Sequence, residues 1–121
     1  MTNKNQTNKN QTNKNQTNKN QLIEMAMGYF RSRVLVAAAR LELADALHAG
    51  PKTATALAKE SHADADALQR LLRALASFGV VVETTPGTFA VTQLGQPLRK
   101  TSPDSAWPSI LFWGEIQGVL R

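Results

Sequence analysis

Few residues of this chain could do covalent or metal chemistry, and they do not gather. His48 and His62 are the two imidazoles, and neither has a second ligand at helical spacing. Cysteine is absent, which excludes disulfides, thiolate nucleophiles and thiolate metal sites. We read both histidines as loop or helix-end residues. A nucleotide-binding loop needs glycines clustered between a strand and a helix, whereas Gly28, Gly50, Gly79, Gly87, Gly95, Gly114 and Gly118 are scattered. No catalytic, cofactor-binding or metal-binding residue is therefore expected. The sequence offers apolar surface instead, and the question becomes which elements present it.

After Met1 the unit Thr-Asn-Lys-Asn-Gln runs four times and ends at Gln21, without one apolar residue. Such a tract buries nothing against the entropy of ordering, so residues 1–21 read as a disordered low-complexity tail. The tail also governs the charge. Of the formal net charge of +5, Lys4, Lys9, Lys14 and Lys19 supply four, leaving ten basic against nine acidic residues in the remainder. A nearly neutral domain carries no phosphate-tracking excess, which disfavours nucleic acid as a partner. The N-terminus shows no apolar core of a signal peptide, and no apolar run approaches the roughly 20 residues that span a bilayer. A soluble cytoplasmic protein with no membrane partner is the expectation.

From Leu22 the pattern becomes helical. Ile23, Ala26, Met27, Phe30, Val34, Ala38 and Leu41 follow steps of three and four, while Met25, Tyr29 and Val36 lie off that stripe. A helix apolar on more than one face needs cover from its own core and from something else, such as a second copy of the chain. Leu43, Ala44 and Leu47 mark a short second helix closed by Gly50-Pro51. Thr53 can cap a third helix with Leu57 and Ala58 inward, and Asp64 can cap a fourth. The fourth carries a core stripe of Leu68, Leu71, Leu72, Leu75 and Phe78 and is closed by Gly79.

At Val80-Val81-Val82 the period shifts to that of a strand. Thr85-Pro86-Gly87-Thr88 supplies a turn with fixed φ at proline and positive φ at glycine, and residues 88–92 alternate around Phe89 and Val91. The fold class is thus mainly α, a winged helix-turn-helix-like domain with a small β-hairpin. Such a fold raises a DNA-binding transcriptional regulator as the alternative function. Asp66, Gln69, Arg70, Arg73 and Ser77 would then face the groove, but Asp66 stands four residues before Arg70, where it can neutralise it, and the wing tip brings no cation.

Several stretches together resemble one family. They are Leu41-Glu42-Leu43-Ala44-Asp45-Ala46-Leu47, Gly50-Pro51-Lys52-Thr53 with Leu57-Ala58, Leu68-Gln69-Arg70-Leu71-Leu72-Arg73-Ala74-Leu75 with Gly79, and Phe89 with Thr92-Gln93-Leu94-Gly95 and Leu98. In order and spacing they resemble the N-terminal dimerisation domain of class I S-adenosylmethionine-dependent small-molecule O-methyltransferases. The resemblance covers residues 22–121. It implies a winged-helix-like domain at 22–103 that pairs with a second subunit, followed at 104–121 by the start of a connector helix. The methyl donor and the catalytic base of that family sit in a later domain, so the resemblance implies a chain that is not catalytic alone. S-adenosylmethionine would then be the cofactor of the full-length family only.

Many members of the family carry glycine where Glu42 stands, so the first two helices are expected to run together more easily here. The homodimer interface is expected at Met25, Met27, Tyr29, Phe30 and Val34. Trp107, Phe112 and Trp113 are expected to wall a substrate pocket or to pack in the connector. The family continues well beyond this region, so the chain reads as truncated, and three arrangements stay open. It serves in homodimer assembly, or it is half of an enzyme whose catalytic domain is separately encoded, or it is a remnant.

Overall fold

A helix begins where the side chains give least reason for one. A computed structural model describes residues 4–119, with side chains from 14 to 116. The tail's first three residues and the last two of the connector lie outside this range. The first helix, α1, spans Lys4–Arg40 and takes in most of the repeats. Lysine and glutamine are good helix formers. Once residues after Gln21 have nucleated a helix, extending it backwards costs little per residue, even through the weaker asparagines and threonines. No burial supports the repeat over its described side chains, since every residue from 14 to 30 is exposed.

By their contacts the residues form two units, Met1–Arg31 and Ser32–Arg121. Among its described residues the first consists of helix alone. The second holds the core, to which the end of α1 contributes Val34, Ala38 and Ala39. Glu42 then separates α1 from α2, which spans Leu43–His48. Its backbone is left-handed, with φ 53° and ψ 40°, so the two helices do not run together despite the missing glycine. A left-handed L-residue carries strain of about 1–2 kcal/mol. Burial of Leu43, Ala44 and Leu47 from α2 against the core offsets it.

Strand β1, Lys52–Thr53, leads into helix α3, Ala54–Ser61, and helix α4 spans Ala65–Ser77. Both expected caps are present. The Thr53 hydroxyl accepts from the Ala56 amide at 3.1 Å, and the Asp64 carboxylate accepts from the Ala67 amide at 2.9 Å. His48 ends α2 and His62 caps α3 in a left-handed conformation, as helix-end residues. Of the five core residues expected on the fourth helix, Leu68, Leu72 and Leu75 are buried, while Leu71 and Phe78 pack partly buried against them.

The wing has one strand more than the expected hairpin. Strands β2, Val81–Thr85, and β3, Thr88–Val91, pair antiparallel, and β1 adds on the far side of β3 to give the order β1-β3-β2. Gly87 takes φ 82° in the turn, which a side chain would resist. The central strand places Phe89 fully inside the core. A short 3₁₀ turn at Gln96–Leu98 then leads to helix α5, Trp107–Val119. The α5 helix meets α1 at Gly114, where an added Cβ would stand 2.6 Å from a Val36 methyl. Only a residue without a side chain permits that approach.

Candidate dimer interface

The exposed surface is concentrated on one stretch of α1. At 100° per residue, Leu22, Met25 and Tyr29 form one edge of an apolar arc and Ile23, Met27 and Phe30 the other, with Ala26 between them. The arc covers about 200° of the helix. Glu24 and Arg31 share the opposite side, 3.5 Å apart. Met25 is 71% exposed, Tyr29 50%, Phe30 51% and Met27 40%. An apolar stripe about 100° wide is enough to seat a surface helix on one neighbour, so this arc is wider than one neighbour covers.

Four of the five expected interface residues, Met25, Met27, Tyr29 and Phe30, are therefore on exposed surface. Val34 is not. It is 7% exposed and packs within its own core, because the core begins within one helical turn of Phe30. Its step from Phe30 puts it on the same stripe, but its depth removes it from the surface. Sequence reasoning left out Leu22 and Ile23, both exposed. Their signal was present, since they are the first apolar residues after the repeats. Val36, the other residue off the stripe, is covered by α5 of its own chain.

The three aromatic residues of the connector separate in the same way. The Trp107 indole N–H donates to the Ala39 carbonyl at 2.7 Å, and its ring lies 5.2 Å from the Lys100 ammonium. Trp107 therefore fastens α5 to α1. Phe112 and Trp113 are exposed and meet edge to face at 5.7 Å. The inward face of α5, with Ile110 and Leu111, packs on the core, so the outward pair forms a second apolar surface.

A cleft of about 550 Å³ opens between Leu41, Leu43, Asp45, Leu57, Glu60 and Lys100. Its carboxylates already have structural partners. Asp45 accepts from the amides of Lys100 at 3.0 Å and Thr101 at 3.4 Å, and from the Thr101 hydroxyl at 3.0 Å. Burial alone would raise its pKa, but these hydrogen bonds and the charge of Arg99 outweigh it and hold the carboxyl below its ordinary range. Glu60 pairs with Lys52 at 2.8 Å. The cleft joins α2 to the segment before α5 and presents no free nucleophile or base.

The winged surface gives DNA little to hold. Arg70 and Arg73 are exposed on α4, but the turn of the wing is bound to an acid, with the Gly87 amide donating to Glu83 at 2.7 Å. A carboxylate at that tip repels a phosphate backbone.

Comparison with known proteins identifies the family. The family profile of the O-methyltransferase dimerisation domain matches residues 23–101. The chain is 42% identical over 96 residues to phenazine O-methyltransferase PhzM of Lysobacter antibioticus, covering 79% of this chain and 28% of that protein. It is 40% identical over 98 residues to O-methyltransferase SfmM3 of Streptomyces lavendulae, covering 74% and 29%. Among solved structures, LaPhzM superposes with a TM-score of 0.79 at 40% identity, over 84% of this chain and 30% of that one. The SAH-bound form of CalO1, a methyltransferase of calicheamicin biosynthesis, superposes with a TM-score of 0.69 at 40% identity, over 87% and 34%. The chain spans less than a third of the length of the curated relatives it matches. With its helices, wing and exposed arc accounted for, this chain belongs to the O-methyltransferase dimerisation domain family.

Proposed function

We propose that two copies of this chain pair through the apolar arc of α1 and that this pairing is the domain's work. One observation carries the reading: six large apolar side chains are exposed within nine residues of one helix. Covering them releases the water they order, at roughly 25 cal/mol per Å² of apolar area. A partner that lies along one edge of the arc leaves the other edge wet. The breadth of the arc favours a partner that takes up the helix on two sides.

In this reading methyl transfer belongs to a second domain that binds S-adenosylmethionine, and the residues described here supply assembly and no chemistry. That domain, on the same polypeptide or separately encoded, is the second partner, and Phe112 and Trp113 are the surface offered to it. Among the described residues no helix is long and apolar enough to cross a membrane. With the absence of cysteine, this supports a cytoplasmic setting.

Replacing Phe30 by Asp tests the pairing, because it sets an unmatched charge into the apolar contact. Dilution of labelled protein should show a dimer dissociation constant raised about tenfold or more over the parent. An unchanged constant would contradict the proposed interface.

A further inference from the structure

Met25 and Met27 stand two residues apart, which on a helix places their thioethers on different sides, at the two outer margins of the apolar arc. Both are exposed, and the sequence holds no cysteine and only one other methionine, Met1. Among the described residues the sulfurs open to two-electron oxidants therefore mark both limits of the surface that pairing must cover. No partner that covers the arc can leave both thioethers outside the contact. Aromatic residues follow each at helical spacing, Tyr29 four residues after Met25 and Phe30 three after Met27.

We infer that Met25 and Met27 are an oxidative modification site that controls subunit pairing, an inference that rests on the pairing reading. A peroxide oxygen transfers to the thioether sulfur, the O–O bond breaks, the sulfur loses two electrons to become a sulfoxide, and the peroxide leaves as water. The product is polar and chiral where the interface is apolar, and enclosing its S–O dipole among apolar side chains at either margin of the contact leaves it without a donor. The unpaired subunit exposes both sulfurs and the paired subunit encloses them. Oxidation therefore acts on the dissociated form and holds it there. Enzymatic reduction of the sulfoxides reverses the step.

The test treats the full chain with hydrogen peroxide, locates the added oxygen by peptide mass spectrometry, and measures self-association by sedimentation before and after. Oxygen added at Met25 and Met27 should raise the dissociation constant about tenfold or more, and methionine sulfoxide reductases should restore the starting value. In the Met25→Leu/Met27→Leu variant peroxide should leave the variant's own dissociation constant where it was. An oxidised parent that pairs within about twofold of the untreated protein would overturn the inference while leaving the pairing reading intact. An equal loss in the leucine variant would also overturn it, by placing the sensitivity elsewhere. Untreated protein that does not self-associate would overturn the pairing reading and the inference together.

Discussion

Two single residues carry out structural tasks for which the local sequence gives no obvious sign. Glu42 holds a left-handed turn that glycine would hold without strain, and its own side chain returns an exposed pair with Lys100 at 3.5 Å, a contact of little worth in water. Glu42→Gly is therefore expected to raise stability by about 1 kcal/mol, read as a higher urea midpoint with an unchanged slope. Asp45 acts across the fold, joining α2 to residues 100 and 101. Its folded pKa lies below the unfolded one, so its contribution is present in full above the unfolded value and is lost as pH falls through the folded value. Asp45→Asn should cost about 1 kcal/mol at neutral pH, after allowance for solvent screening of a partly exposed group. In acid unfolding curves the gap between the two proteins should close once the pH is below the aspartate range. A gap that persists there would show that the loss is not electrostatic. Neither role was legible: a left-handed glutamate looks like any other glutamate in sequence, and the Asp45 contacts join residues more than fifty positions apart.

Among the elements, legibility followed the strength of the local signal. The leucine stripe of α4, the caps at Thr53 and Asp64 and the Pro-Gly turn of the wing were readable because each depends on neighbours within a few residues. Strand β1 was not, because two residues carry no alternation and are ordered only by pairing with β3. Helix α1 is readable from Leu22 onward through its apolar spacing, whereas the repeat before it has no apolar spacing from which a helix could be read. A polar tract with no apolar residue contributes little to stability, so deleting residues 1–21 should leave the unfolding free energy of the rest within about 0.5 kcal/mol. The contact of α5 with α1 should be far less forgiving. Gly114→Leu would drive a side chain into Val36 and should cost about 1–3 kcal/mol, visible as a lower thermal midpoint.

At the scale of the whole molecule the pattern is a satisfied core beside conspicuous apolar surface. From Val34 to Leu98 the buried hydrophobic residues other than Val36 form one cluster, with no buried polar or charged residue among those described. Met25, Met27, Tyr29 and Phe30, read in advance as interface residues, are on the surface, and Val34 belongs to the core. What the sequence could not reveal was depth, since helical spacing assigns a face but not how far along the helix the core extends. In the proposed pairing a second copy covers α1 between Leu22 and Phe30, and sedimentation equilibrium of the unaltered chain is its sharpest test. At about ten micromolar, a concentration suited to a weak to moderate dimer, the measured mass should be twice that of the chain. A folded protein that keeps the mass of one chain at every concentration would contradict it.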